Sequence, residues 1–203
     1  MMKQFWNERY AEKGFAYGKE PNQFLKENLH KLPKGKILFV AEGEGRNAVF
    51  AAQNGYEVVA FDYSESAKSK ALTLAKEQNV QLNYLVSDVM DLSFEPESFD
   101  AMVFIFTHFP AVIRKQAHQK LVSFLKPKGK ILFEAFEKNQ LQFTSGGPKE
   151  SAMLFSEEEV KEEFPSIGFD FLKTVTIDLA EGQYHQGKGV VIRFIGTKHE
   201  KNE

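Results

Sequence analysis

Four consecutive residues, Glu42-Gly43-Glu44-Gly45, alternate carboxylate and glycine, and a further carboxylate, Asp62, follows about 20 residues on. An apolar run, residues 37–41, leads into this turn. A helical segment closing at Gly55 and the run 58–61 lead from it to Asp62. The order is strand, glycine turn, helix, strand, acid, which presents a nucleoside-bearing ligand at the tops of two parallel strands. Glycines let backbone approach the ligand closely, and an acid after the second strand accepts from both ribose hydroxyls.

Two ligands compete for such a unit. Gly43-x-Gly45-x-x-Ala48 fits the relaxed dinucleotide fingerprint, so spacing alone does not choose between them. Charge argues against a dinucleotide, because Glu42 and Glu44 would stand beside two phosphates at a helix N-terminus, where anions normally bind. S-adenosylmethionine suits the loop better. It offers Asp62 a ribose, carries no phosphate, and brings ammonium and sulfonium cations that gain from nearby carboxylates. Each glutamate taken alone also reads as a solvated loop residue.

The elements that must position these groups follow from periodicity and punctuation. The pattern predicts a helix opening at Pro21-Asn22 and ending near Pro33, then a helix capped by Ser64 and running to about Gln78. A strand at 83–86 precedes Ser87-Asp88-Val89, and the nearly continuous apolar run 101–107 reads as a strand buried on both faces. A helix over about 112–125, a turn at Lys126-Pro127-Lys128-Gly129 and a strand at 130–136 come next. Strands alternating with helices imply an α/β fold with a doubly wound, mostly parallel sheet. The final third breaks that rhythm. A polar stretch, 137–152, precedes a helix opened by a capping box at Ser156, and two strand segments, 169–179 and 189–197, lie too close for a helical crossover. They are expected to pair antiparallel, an ending unlike that of a dehydrogenase. The mixed-charge tail from Lys198 to Glu203 is expected to fray.

Composition narrows the function. At 203 residues the chain is expected to form one domain with a full core. A net charge of −2 with no basic block argues against nucleic acid. No apolar run reaches the ~18 residues of a membrane span and the polar start lacks a signal-peptide pattern, so the expected location is cytoplasmic, away from membranes. Cysteine is absent, which excludes disulfides, thiolate metal sites and cysteine nucleophiles. The histidines show no paired ligand spacing on one helix, so no metal site is expected. Twenty phenylalanines point to a bulky aromatic core.

Trp6-x-x-Arg9-Tyr10, Tyr17-Gly18-x-x-Pro21-Asn22-x-Phe24-Leu25, Gly43-Glu44-Gly45-Arg46-Asn47-Ala48, Phe61-Asp62-Tyr63-Ser64, His108-Phe109-Pro110, Leu125-Lys126-Pro127-x-Gly129 and Gly146-Gly147-Pro148 occur in that order. With them, nearly all of residues 4–197 resembles the class I methyltransferases that use S-adenosylmethionine. Within that class the chain looks most like the small bacterial branch of tellurite-resistance methyltransferases and thiopurine methyltransferase relatives. The resemblance implies a Rossmann-like, seven-stranded sheet ending in an antiparallel hairpin. It divides one domain, 1–203, into an N-terminal helical cap (1–35), a cofactor-binding core (36–136) and an acceptor-side loop, helix and hairpin (137–197). It also implies that Ala41, Glu42, Gly43 and Gly45 face the methionine part of the cofactor. Asp62 would hold the ribose, with Tyr63 against the adenine and Ser64 beside it. Asp88 would accept from the adenine amino group, the Val89 amide would meet a ring nitrogen, and Ile105 and Phe106 would wall the sulfonium. Asp88 also reads as a capping aspartate. Two positions depart from the branch: Phe39 stands where it carries an acid, and Ala41 where it carries a glycine. Glu42 is expected to take over the missing acid's role.

The reaction this implies is an in-line displacement of methyl from sulfonium sulfur, driven by alignment and desolvation. A soft sulfur, selenium or tellurium acceptor needs little or no base, whereas oxygen or nitrogen calls for one. Tyr17, His108 and His185 are the polar candidates over the acceptor, with His108 and Tyr17 assigned as catalytic. The structural alternatives are a histidine bonded to a loop carbonyl and a tyrosine packed with Trp6 in a helical cap. Lacking a basic groove and an appended recognition domain, the chain is expected to act on a small molecule. Two other readings stand beside this one: a weak or inactive protein that holds S-adenosylmethionine or S-adenosylhomocysteine, and a nicotinamide oxidoreductase.

Overall fold

The computed structural model describes residues 2–200. The expected domain span and frayed tail extend to residues 1 and 201–203, which lie outside the described residues. Strands β1 (Lys36–Val40), β2 (Glu57–Asp62), β3 (Asn83–Val86), β4 (Phe99–Ile105) and β5 (Leu125–Phe136) run parallel. With β6 (Ile167–Glu181) and β7 (His185–Lys198) they form one seven-stranded sheet in the order β3-β2-β1-β4-β5-β7-β6. β7 runs antiparallel to both of its neighbours, so the sheet closes on the expected hairpin.

Alternation along the strands feeds two cores. Leu38, Val40, Phe104 and Phe133 pack under α5 (Ala111–Ser123) and α6 (Glu157–Glu163). Ile37, Phe39, Ala60 and Leu132 face the layer of α2 (Gln23–Asn28) and α3 (Arg46–Gln53). Helix α4 (Glu65–Glu77) follows β2, and α1 (Met2–Ala11) packs on it. Local capping fixes where the helices start. The Ser64 hydroxyl accepts from the Ala67 amide, and Ser156 and Glu159 form the reciprocal capping box that opens α6.

Several boundaries differ from the sequence reading: β4 spans 99–105 rather than 101–107, and Lys198, expected in the frayed tail, ends β7 paired with Ile167. β5 begins at Leu125 rather than Lys130, because Leu125 pairs with Phe99 ahead of a register shift that absorbs the proline-glycine stretch. The β6–β7 strands are also longer than expected, since Glu181 pairs directly with His185 and Gly187 and Gly189 stay in the ladder.

Candidate active site

β1 delivers the chain into a turn in which Ala41 (φ 50°), Gly43 (φ 64°) and Gly45 (φ 89°) are all left-handed. Gly43 has no room for a side chain, as a Cβ there would lie 2.7 Å from the Tyr10 hydroxyl. Ala41 adopts the same region with a Cβ, at a cost of roughly 1 kcal/mol. Neighbouring strands pin the turn. Tyr84 Oη donates to the Gly43 carbonyl at 2.6 Å, the Gly43 amide donates to Asp62 Oδ2 at 3.2 Å, and the Glu42 amide donates to the Phe61 carbonyl at 3.0 Å.

The three carboxylates of the motif have different partners. Glu42 Oε1 accepts from the Asn47 and Ala48 amides at 2.9 and 2.8 Å, at the start of α3. Burial nevertheless raises its pKa to about 7. Asp62 Oδ1 accepts from the Ser64 amide at 3.0 Å, and burial raises Asp62 to about 6. Among the described residues neither forms an ion pair. Glu44 is neither solvated nor open to a ligand. Its Oε2 accepts from the Ala16 amide and its Oε1 from Lys70 Nζ, both at 2.7 Å, so it anchors the segment after α1 to the glycine turn.

Among the residues expected at the adenine, Tyr63 is half-buried, and burial pushes its phenol up. Ser64 Oγ caps α4 and donates to Asn7 Oδ1 of α1 at 2.9 Å. Asp88 is exposed, and its Oδ1 accepts from the Met90 amide at 2.9 Å, closing a turn rather than capping a helix, since among the described residues no helix lies between β3 and β4; the Val89 side chain is buried in the core. Ile105 is buried at the end of β4, and Phe106 (φ 53°) turns away from it with its amide donating to the Glu134 carbonyl at 2.7 Å.

Among the residues expected over the acceptor, the structure ties His108 to backbone through both ring nitrogens. Nδ1 donates to the Met153 carbonyl at 2.9 Å and Nε2 accepts from the Phe136 amide at 3.3 Å. Burial lowers its pKa to about 4. This is the structural alternative of the sequence reading, and it leaves His108 no free nitrogen for a substrate. Tyr17 accepts from Arg9 at 3.5 Å and lies 4.5 Å from the His185 ring. His185 Nδ1 is 3.3 Å from Glu181 Oε2, which also accepts from Arg46 at 2.7 Å. Burial raises Glu181, but His185 and Arg46 outweigh it and hold the carboxyl at about 2. Asn22 Nδ2 links this group to a second carboxylate, donating to Glu181 at 2.9 Å and to Glu134 at 2.6 Å, while Arg193 pairs with Glu134. Sequence reasoning missed Glu181, Glu134 and Arg193. Only Glu181 left a signal, an acid and a histidine flanking the glycine of the hairpin turn.

The strand tops therefore gather a glycine turn, two carboxylates with spare lone pairs and no ion pair among the described residues, and an aromatic wall of Tyr17, Phe106, Phe136 and His185. Such a group suits a ligand that brings hydroxyls and positive charge. Among the described residues no cluster of histidine, aspartate and glutamate could hold a metal ion, and no helix is long and apolar enough to cross a membrane.

Residues 37–129 match the family described as methyltransferase domain. A ubiquinone biosynthesis O-methyltransferase of Rickettsia akari is 32% identical over 121 residues, covering 59% of this chain and 47% of that protein. A demethylmenaquinone methyltransferase of Clavibacter sepedonicus is 32% identical over 102 residues, covering 50% and 41%. The chain spans about half the length of the curated relatives it matches. Among solved structures, one describing conversion of a disulfide bond into a thioacetal group during echinomycin biosynthesis superposes with a TM-score of 0.78 at 14% identity, covering 100% of this chain and 95% of that one. TehB from Haemophilus influenzae gives 0.71 at 16%, covering 97% and 66%. A Burkholderia thailandensis 1,6-didemethyltoxoflavin-N1-methyltransferase with bound S-adenosylhomocysteine gives 0.64 at 17%, covering 87% and 76%. The matched family sets aside the nicotinamide reading of Gly43-x-Gly45-x-x-Ala48.

Proposed function

We propose that the chain is a class I methyltransferase that uses S-adenosylmethionine, a reading supported by the match of residues 37–129 to a methyltransferase domain, and that it methylates a small molecule through a soft sulfur, selenium or tellurium atom. In this reading residues 1–35 cap the site, 36–136 hold the cofactor and 137–197 shape the acceptor side. Asp62 takes the ribose hydroxyls and Glu42 the methionine ammonium, in place of the acid that Phe39 replaces. The adenine lies between Tyr63 and the Asp88-Val89 turn. The observation that carries the cofactor assignment is the pair Asp62 and Glu42, set beside the glycine turn with backbone amides as hydrogen-bond donors and, among the described residues, no ion pair. The soft acceptor is favoured by the aromatic wall and by His108 being held through both nitrogens. A phenolic oxygen is the second reading, favoured by the O-methyltransferase among the relatives.

Calorimetric titration with S-adenosylmethionine and S-adenosylhomocysteine, followed by methyl transfer to a panel of thiols, selenite, tellurite and phenols, tests both. Micromolar binding with turnover on the soft acceptors is expected. Binding without turnover on any of them would favour a cofactor-holding protein instead. Glu42→Gln is expected to weaken cofactor binding about tenfold, the scale of one hydrogen bond to a charged group. Affinity equal to that of the unaltered chain would refute the role given to Glu42.

A further inference from the structure

Building on the methyl-transfer reading, we infer that His185 is the base of this site, taking the proton from an acceptor that arrives protonated, a thiol or a phenol. The ring is oriented from behind. Glu181 Oε2 faces Nδ1 at 3.3 Å and is itself fixed by Arg46 at 2.7 Å, while Asn22 holds the other oxygen at 2.9 Å. A carboxylate at Nδ1 keeps the proton there and leaves the Nε2 lone pair bare. In front, the rings of Tyr17 and Phe106 each lie 4.5 Å away and Phe136 lies 5.3 Å away, so the imidazole forms part of the wall beyond the end of β4. Nε2 has no hydrogen-bond partner among the described residues, and the loop at Gly146 passes so close that a Cβ there would lie 3.1 Å from it.

The charged and titratable groups around the ring are Glu181 and Arg46 behind it, Arg9 beyond Tyr17, and the neutral His108. Burial, the largest influence, lowers the pKa of His185 despite Glu181, so the ring is a free base at neutral pH. In the step, the acceptor's S–H or O–H proton moves to Nε2 as its sulfur or oxygen bonds to the methyl carbon. The old carbon–sulfur bond breaks with its electron pair going to the sulfonium sulfur. Glu181 balances the imidazolium, which then releases its proton to water.

His185→Gln tests this with two kinds of acceptor. On an aliphatic thiol at pH 7 the variant is expected to lose about 10²–10⁴-fold in kcat/KM, and the deficit should shrink as pH rises through the thiol's own pKa. On hydrosulfide and an electron-poor thiophenolate, already ionised at that pH, the loss should be no more than a few-fold. A phenol arm shows whether oxygen acceptors depend on the same residue. Equal losses on ionised and protonated acceptors would overturn the inference, and so would no loss on either. A readout independent of turnover is the ¹⁵N imidazole spectrum of the unaltered chain. A protonated Nδ1 with a bare Nε2 is expected, and the opposite tautomer would overturn the assignment. Wild-type chain that binds neither S-adenosylmethionine nor S-adenosylhomocysteine would bring down the methyl-transfer reading and this inference with it. A chain that binds both and turns over, with His185→Gln unimpaired, would bring down the inference alone.

Discussion

The layer beneath α5 and α6 and the tops of the strands each hold a histidine, a glutamate and an arginine in contact, but only the first group is closed on itself. Beneath the helices, Glu163 accepts from Arg114 Nε with one oxygen and from His118 Nδ1 with the other, each at 2.7 Å. Phe155 and Phe164 stack on His118 at 6.0 and 4.7 Å, and its Nε2 is buried without a partner. At the strand tops Glu181 meets both Arg46, at 2.7 Å, and His185 Nδ1, at 3.3 Å, with the single oxygen Oε2, and the far side of that imidazole meets a glycine loop and a row of rings. The carboxylates extend the contrast. Burial opposes ionisation of Glu163 and Glu181, but the histidine hydrogen bonds and the arginine charges outweigh it and hold both below the usual range. Glu42, despite backbone donors, the Asn47 side chain and the nearby Arg46 charge, and Asp62, with backbone donors, sit above that range because burial outweighs them. Glu134 is the exception, raised by complete burial even though Arg193 pairs with it. Charges that hold the fold carry their counter-charges with them, whereas in the proposed reading positive charge and hydroxyls reach Glu42 and Asp62 from a ligand.

The sharpest way to break this contrast is Glu163→Ala. It strands Arg114 and His118 in the core and is expected to cost about 3–5 kcal/mol, lowering Tm by roughly 10 °C in a thermal melt. Methyl transfer per folded molecule should be unchanged, and a matching loss of specific activity would dissolve the distinction between the two groups. Glu181→Ala should cost less stability, about 1–3 kcal/mol, because its surroundings are less sealed, while activity on protonated acceptors falls with the loss of His185 orientation.

Asp62→Asn is expected to weaken cofactor binding by about 1.5–3 kcal/mol in calorimetry, with no loss of Tm, since it removes a buried charge that has no cation. The pH dependence has the same origin. Folding raises Glu42 to about 7 and Asp62 to about 6, so the native state binds protons that the unfolded chain, with ordinary carboxylates, has released. Lowering the pH from 8 towards 5 should therefore add stability at these two carboxylates, opposed by His108, His118 and His185, whose lowered pKa values cost stability on acidification, while weakening S-adenosylmethionine binding. The carboxylates' share is read as the Tm of the unaltered chain minus that of the variant carrying Glu42→Gln with Asp62→Asn, and a difference that does not grow as pH falls would show that these carboxylates are not held for a ligand. The smallest effect belongs to Ala41→Gly. Relief of the left-handed alanine, roughly 1 kcal/mol, is largely offset by the greater freedom of glycine in the unfolded chain, so Tm should move by no more than about 2 °C.

What could be read along the chain was what the chain decides locally. Ser64 and Ser156 bond to amides three residues on, so their helix starts were visible in the sequence, and strand 83–86 was bounded by polar punctuation. The site was legible as a row of positions at strand ends, because the parallel topology brings those ends together. The partners of the polar side chains were not legible. His108 meets a carbonyl 45 residues away, Glu44 an amide 28 residues away, and Asn22 carboxylates 112 and 159 residues away. No periodicity encodes such pairs, which explains why the sequence favoured His108 over His185. The start of β5 was hidden for a related reason, since Leu125 is a strand residue only through its pairing with Phe99.

The segment between α1 and α2 reaches the hairpin at its far end: the Gln183 amide donates to the Ala16 carbonyl at 3.1 Å, and the rings of Tyr17 and Tyr184 lie 6.1 Å apart. A ribosome therefore releases the glycine turn and Asp62 long before it releases the surface against which Tyr17 settles. A nascent chain ending before residue 183 has the residues assigned to hold a cofactor but lacks the floor and far wall of the acceptor side, so translation itself sets the order in which the two halves of the site come into being.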